Sequence, residues 1–534
     1  MTVTRPAPAT DATAPGVGAP RRDAREHHLS GGYRVLASTV LGIVVLAALG
    51  ALMGPQWDPV PLTDPLVVSS RDTAIGSAPA LPTYDVRTRV VTVQLDGATV
   101  RAQVNEPVGA PPGPGVVFLH GAGTGSYTEA FVEQARALAT AGVVTLVPDK
   151  RLDTYSARYR DYVGMARDYQ RSVELVRSLP TVDPDRVGVY AESEGAWIAP
   201  VMAAADERLA FVVLVSAPVV PPREQAAFAA DSYLRNTGVP HGVFRAIPRA
   251  VGMAIPGGGF EYVDFDVTSY QRRMSQPVLM VYGTGDASMP IVQGAEQVIR
   301  DTAIAGNGAV TVRYYAGATH GIKVDEQIVP AFLRDMTGWV VGLPATAHAE
   351  PKIAGDQPEQ QYLAMPVPEP RWLHNGDVVA LITIAAIAGI VLAGMVGGVA
   401  RGVRTLTVRR TGVPAPAGAP RFAGGVVRWA TALGVGAVAT VVALVWYIFA
   451  IARLALEYEH NAWVVQGGWV AVRLLGIAVV GAAVLLSRAV VRARTRGVPA
   501  APGAVRVVVL GLLLVCSSVL LVVLAYWGVY QLGI

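Results

Sequence analysis

The chain reads as an α/β protein joined to an all-α membrane region: a mostly parallel sheet with helices on both faces, plus about five transmembrane spans. Three observations predict this. Residues 83–343 open with a hairpin pattern and then alternate apolar strand runs with helical periodicity. Five apolar segments reach the roughly 20 residues that a bilayer crossing needs. The composition is 52% hydrophobic but only 16% charged, well under the approximately 25% of soluble domains.

The same composition excludes several classes. Lys150, Lys323 and Lys352 are the only lysines among 44 basic residues, and the net charge is +4. No basic patch is interleaved with aromatics, so a nucleic-acid partner is not expected. Cys516 is the single cysteine and lies in an apolar run. An intramolecular disulfide and a thiolate metal cluster are therefore impossible, and neither metal nor cofactor is expected.

In chain order, residues 1–32 are rich in Pro, Ala and Thr without apolar periodicity, which predicts a disordered cytoplasmic tail. Residues 33–54 hold the first apolar segment, 35–53. It reads as an uncleaved anchor, because its core exceeds the about 7–15 residues of a signal h-region and no clear A-x-A site follows. Residues 55–82 form a Pro-rich linker, 83–343 one soluble domain, and 344–376 a second Pro-rich linker. Residues 377–534 carry four more spans, at 378–400, 426–451, 469–486 and 505–527. Arginines cluster before the first span and after the second and fourth, whereas the loop after the third holds Arg453, Glu457 and Glu459. Positive loops stay cytoplasmic, so the N-terminus is expected inside and the soluble domain outside, in the cell envelope. The spans hold no run of carboxylates or histidines, which argues against a proton-coupled transporter. They read as an anchor or assembly platform. The alternative is a part in binding lipid substrates or passing an acyl group across the membrane.

Within the soluble domain, strand runs 88–95 and 98–107 flank the turn Asp96-Gly97. Buried-strand runs follow at 115–121, 143–149, 186–192, 211–218, 277–283 and 310–317, with helical stretches at 128–141, 159–179 and 195–205. In such a sheet, ligands bind outside the carboxyl ends of the strands.

Chemistry-bearing residues stand at those ends. Ser193 ends the run VGVYAESEG (187–195), between Ala191 and Gly195. This is a variant of G-x-S-x-G, in which small residues flank a strained strand–turn–helix serine. Alone, such a serine reads equally as an N-cap. Asp286 follows the strand 277–283, and His320 follows 310–317. The order Ser…Asp…His on three separate strand ends favours a nucleophile, an orienting acid and a base. His120, Gly121, Ala122 and Gly123 form a Gly-rich loop after 115–119 whose amides could approach a carbonyl oxygen, and no G-K-[ST] follows to make it a phosphate loop. Ala122 and the residue after the nucleophile, Glu194, are the expected oxyanion donors. Glu192 is placed to pair with Lys150 or Arg151 at the neighbouring strand end, or else to face solvent.

The motifs HGAG (120–123), PDKR (148–151), VDPDRVGVYAESEGAWIAP (182–200), VYGTGDASMP (281–290) and GATHG (317–321) together resemble the α/β-hydrolase family, in its dienelactone hydrolase and prolyl-oligopeptidase-like group. The resemblance covers about residues 89–339. It implies an α/β-hydrolase fold with Ser193 as nucleophile, His320 as general base and Asp286 orienting it. Ala191 and Ala196 stand where relatives often have glycine, and Leu152-Asp153-Thr154 replaces a G-x-G. The implied activity is hydrolysis of an ester, thioester or amide in a small-molecule, lipid or peptide acyl substrate, with an esterase favoured. Alternatives are an acyltransferase or peptidase using the same triad, and a non-catalytic scaffold or sensor. Residues 218–276 read as a cap that shapes the acyl pocket, with Phe228, Tyr233, Phe244 and Tyr262 as candidate pocket residues.

Overall fold

The computed structural model describes residues 1–2, 22–156, 160–256, 262–412, 421–456 and 459–532, with backbone alone at 22–30 and 455–456. The stretch at 3–21 and the Gly-rich tip of the cap lie outside the described residues. Helix α1 (Arg22–Met53) is followed by strands β1 (Val86–Gln94), β2 (Thr99–Pro107) and β3 (Gly113–Leu119). Then come α2 (Val132–Thr140), β4 (Val144–Pro148), α3 (Tyr162–Arg177), β5 (Val182–Glu192), α4 (Gly195–Ala205) and β6 (Val212–Val215). The cap contributes α5 (Pro222–Asn236), α6 (Ala246–Val251) and α7 (Thr268–Gln271). Next are β7 (Val278–Gly283), α8 (Ile291–Ile304), β8 (Val310–Tyr315), the short pair β9 (Lys323–Val324) and β10 (Gln327–Ile328), and α9 (Pro330–Gly342). Strand β11 (Ile353–Gly355) precedes α10 (Gly376–Thr411), α11 (Val426–Leu456), α12 (Gly468–Thr495) and α13 (Ala504–Tyr526).

The sheet order is β1-β2-β4-β3-β5-β6-β7-β8-β11, with β2 antiparallel to its neighbours. Every residue of β3, β4, β6, β7 and β8 is buried. Helices cover both faces, so these strands need no polar side. Two apolar cores result, one under α3, α4 and α8 and one under α2 and α9. This is the mostly parallel sheet with helices on both faces that the alternation predicts, and the α/β-hydrolase fold that the resemblance implies.

Some boundaries differ from the sequence reading. Helix α2 starts at Val132 rather than at 128, because Phe131 adopts a left-handed φ of 60° that a helix cannot continue. Helix α1 reaches back to Arg22, into the stretch read as a disordered tail. The two stretches read as linkers are ordered and brace each other. Leu62 N donates to Gln361 O at 2.9 Å, Leu363 N to Val60 O at 2.8 Å and Gly355 N to Ser70 O at 2.8 Å. Buried Arg313 on β8 locks both of them, donating to Thr73 O and Ala74 O on one side and to Lys352 O on the other. Backbone carbonyls thus satisfy a guanidinium that has no room for water.

Among the described residues, five helices are long and apolar enough to cross a membrane: Gly31–Met53, Gly376–Thr411, Val426–Leu454, Trp463–Thr495 and Ala504–Tyr526. They pack as one bundle, and the cap rests on it. Val239 and Val243 belong to the bundle's apolar core. Arg249, fully buried, donates from Nη2 to Gly50 O at 2.8 Å and lies over the Tyr526 ring. Gly376 N donates to Ala254 O at 2.7 Å. The catalytic-type domain and the apolar helices therefore share the cap as a common wall.

Candidate active site

The turn between β5 and α4 carries the first member of the site. Ser193 has φ 53°, a left-handed conformation that a side-chain-bearing residue rarely adopts. Its own N–H is held by Val215 O at 3.0 Å. Close packing forces the turn. A Cβ on Gly195 would lie 2.6 Å from Leu119 O, and one on Gly121 would lie 3.2 Å from Ser193 Cβ. Helix α4 then begins immediately, with Glu194 as its N-cap and no side-chain cap bond. The N-cap reading of Ser193 is thereby displaced by one residue.

Beyond β7, buried Asp286 meets His320 beyond β8. Asp286 Oδ2 accepts from His320 Nδ1 at 2.9 Å. Ser288 holds the other carboxylate oxygen, donating to Oδ1 from its amide at 3.0 Å and its hydroxyl at 2.6 Å. Burial alone would raise the Asp286 carboxyl, but the imidazole's charge and these hydrogen bonds pull it below the ordinary carboxylate value. Burial likewise opposes protonation of His320, yet the Asp286 carboxylate outweighs it and leaves the imidazole above its usual 6.5. The Nδ1–H bond to Asp286 leaves the lone pair of the neutral ring on Nε2.

The two glutamates beside Ser193 behave differently from expectation. Glu194, not Glu192, takes Lys150: Nζ lies 2.8 Å from Oε2, with both side chains 1% exposed. Arg160 Nη1 lies 3.0 Å from Glu194 Oε1, and Tyr155 OH donates to Oε2 at 2.9 Å. Its charge is thus balanced by cations beside Ser193. Glu192 turns the other way. It accepts from Tyr190 OH at 3.0 Å, and its Oε1 stands against Gly321 in the His320 turn. Burial raises the Glu192 carboxyl, and its charge in turn raises His320. Neither pairing proposed for Glu192 forms. Arg151 faces away, bound to Asp153 at 2.8 Å, to Asp168 at 3.5 Å and to Asp96 O in the hairpin turn.

The Gly-rich loop is pinned from beneath. Lys150 Nζ donates to Gly121 O at 2.7 Å. A trans peptide sets C=O and N–H in opposite directions, so the Ala122 amide points away from Lys150. His120 is buried and structural. Its Nε2 donates to Pro148 O at 2.6 Å and its Nδ1 meets Thr124 Oγ1 at 3.2 Å. Burial lowers its pKa to about 4, keeping the ring neutral. Gly123 is exposed, and a Cβ there would meet nothing within 4 Å. Ala122, Ser193 and Glu194 line one cleft of about 220 Å³, closed by Trp197, Gln225 and Tyr262. Tyr262 is thus the cap aromatic that reaches the cleft. Phe228 packs in the sheet's core, and Phe244 stacks on His241.

Tyr155, Arg160, Tyr162, Tyr190 and Ser288 were not singled out by sequence. Only Ser288 had a local signal, a hydroxyl two residues after an aspartate, which can donate back to the carboxylate. Among the described residues no cluster of His, Cys, Asp and Glu could hold a metal ion.

Residues 168–330 match the family described as BAAT / acyl-CoA thioester hydrolase C terminal, and this stretch includes Ser193, Asp286 and His320. No curated protein matches the chain. Solved structures similar to it include a hyperthermophilic esterase from the archaeon Pyrobaculum calidifontis, at 18% identity, covering 50% of this chain and 86% of that one, with a TM-score of 0.37. Another is the thermostable carboxylesterase EstE1 from a metagenomic library, at 21% identity, covering 51% and 90%, with a TM-score of 0.36. A third is a dienelactone hydrolase-like promiscuous phosphotriesterase from metagenomic libraries, at 17% identity, covering 48% and 96%, with a TM-score of 0.34. With its sheet order and strand-end site, the soluble domain has the α/β-hydrolase fold, and its residues 168–330 are similar to the acyl-CoA thioester hydrolase family.

Proposed function

We propose that the chain is a membrane-spanning serine hydrolase that cleaves an ester or thioester through an acyl-enzyme. Its arginine-rich loops favour an N-terminus in the cytoplasm and a hydrolase domain outside. Ser193 is the nucleophile, His320 the general base and Asp286 the group that orients it. The single observation that carries this reading is the left-handed Ser193 at the β5–α4 turn, on the same sheet edge as a buried Asp286–His320 hydrogen bond.

The chemistry runs as follows. His320 Nε2 takes the Ser193 hydroxyl proton as Oγ bonds to the substrate carbonyl carbon. Negative charge gathers on the carbonyl oxygen, where the Ala122 and Glu194 amides donate to it. Among the described residues neither amide has a backbone acceptor. His320 passes its proton to the leaving alcohol or thiol, and the C–O or C–S bond breaks. Water then bonds to the acyl carbon as it loses a proton to His320, and His320 returns that proton to Ser193 Oγ as the C–Oγ bond breaks and the acid leaves.

The test is fluorophosphonate labelling of membranes containing the full chain. Labelling of wild type, with none in Ser193→Ala and almost none in His320→Ala, is the expected result. Equal labelling of wild type and Ser193→Ala would refute the assignment.

A further inference from the structure

At the bundle end remote from the hydrolase domain lies a cleft of about 760 Å³. Trp469, at the start of α12, touches the cap at Gly242. The cleft sits at the opposite end of the same helix, roughly 30–40 Å away at 1.5 Å per residue. Arg488, Arg492 and Arg496 all line it. The four-residue spacing sets Arg488 and Arg492 on one face of α12, and Arg496 follows directly as its C-cap residue. Arg488 Nη1 donates to Gly31 O of α1 at 2.6 Å, which fixes one guanidinium across the cleft.

Among the described residues no Asp or Glu lines this cleft. Like charges gathered this closely repel one another, and an anion between them relieves that repulsion. Helix α11 starts at the same place through Gly424 and Gly425, adding the positive end of its dipole. Apolar side chains share the lining: Val35, Leu485, Ala489 and Trp429. Positive charge at one level and apolar wall beside it match an amphiphile with an anionic head. Arginine forks suit phosphate oxygens, which they bind in pairs.

We propose that this cleft binds the phosphate head group of an anionic membrane lipid, with its acyl chains along Val35 and Leu485. The proposal rests on the membrane-spanning reading above. Arg409 and Arg410, at the end of α10, occupy a comparable helix-end position but do not line the cleft, which makes them the control.

The test uses the purified full chain in neutral detergent. Native mass spectrometry and thermal unfolding are read with added phosphatidylglycerol, with phosphatidylcholine of the same chains, and with inorganic phosphate. Retention of phosphatidylglycerol and a raised Tm are expected with that lipid alone. R488Q/R492Q/R496Q should bind it at least about tenfold more weakly, the equivalent of one charge-assisted hydrogen bond. R409Q/R410Q should bind as wild type does. Arg492 is exposed, so R492Q alone supplies a variant whose folding is not in question. Equal retention of phosphatidylcholine, unchanged binding by both R492Q and the triple variant, or a full Tm shift from inorganic phosphate would each overturn the proposal. Alkaline carbonate extraction separates the two readings. Release from membranes overturns the spanning reading itself, whereas retention without lipid preference overturns only this one.

Discussion

Lys150 Nζ stands 2.8 Å from Glu194 Oε2 and 2.7 Å from Gly121 O, so one buried ammonium ties the residue after Ser193 to the loop that faces it. Those two segments carry the Ala122 and Glu194 amides proposed to hold the oxyanion. Lys150→Met removes the tie and leaves Glu194 underpaired. Breaking a buried pair typically costs about 3–5 kcal/mol, and loss of one oxyanion donor costs about 10²–10³ in kcat. Thermal unfolding and ester turnover of Lys150→Met should both fall. The double variant K150M/E194M should recover stability without recovering turnover. Recovery of turnover as well would show that the pair serves stability alone.

Glu192 should contribute to the acid limb of activity. Burial lowers His320, the Asp286 carboxylate outweighs that, and the Glu192 carboxylate adds a smaller push upward. His320 must be neutral to accept the Ser193 proton, so kcat/KM should rise with pH through a midpoint above 6.5. Glu192→Gln removes one negative charge and should move that midpoint to lower pH. A pH profile of ester hydrolysis checks the sign, and an unmoved midpoint would detach Glu192 from His320.

Asp286→Asn keeps the shape of the carboxyl but offers an amide to His320 Nδ1. The wrong tautomer then faces Ser193, and turnover should drop by about 10⁴. Ser288→Ala removes one donor from Asp286 Oδ1 and leaves the Asp286–His320 bond. Its expected loss is about tenfold, in keeping with a single hydrogen bond to a charged group. Single-turnover acylation rates for the two variants give the comparison.

Gly195→Ala should be severe although the change is one methyl. Its Cβ would come 2.6 Å from Leu119 O, and backbone has nowhere to retreat. Overpacking costs about 1–3 kcal/mol or more, and relief would have to come from moving the Ser193 turn. Loss of fluorophosphonate labelling at a temperature where the chain remains folded by circular dichroism is expected. Gly123→Ala, with open space around its Cβ, should label normally.

Arg249 reports on the cap–bundle junction. It is fully buried, and its Nε and Nη1 lack partners among the described residues. Burial lowers its pKa to about 10. Arg249→Met keeps the volume and removes an incompletely satisfied charge, so the full chain should unfold at the same or a higher temperature. A lower Tm would mean that the bond to Gly50 O outweighs the desolvation.

The sequence by itself determined the alternation of strand and helix, the five apolar helices, and the positions of Ser193, Asp286 and His320 at strand ends. Each of these is written in a short window, as period, length or a turn motif next to an apolar run. Tertiary structure alone decided the partners. Glu194 rather than Glu192 took Lys150, 44 residues away, and Arg160 completed the set. Glu192 and Glu194 differ in sequence only by which side of Ser193 they occupy. The left-handed serine turns one carboxylate toward Tyr190 and the His320 loop and the other under the Gly-rich loop. The two Pro-rich stretches became paired straps, and the cap became the wall shared with the helical bundle, for the same reason. Such contacts join residues hundreds of positions apart, whose individual sequences carry no periodic signal, and only the burial that comes with complete folding selects among the pairings open to them.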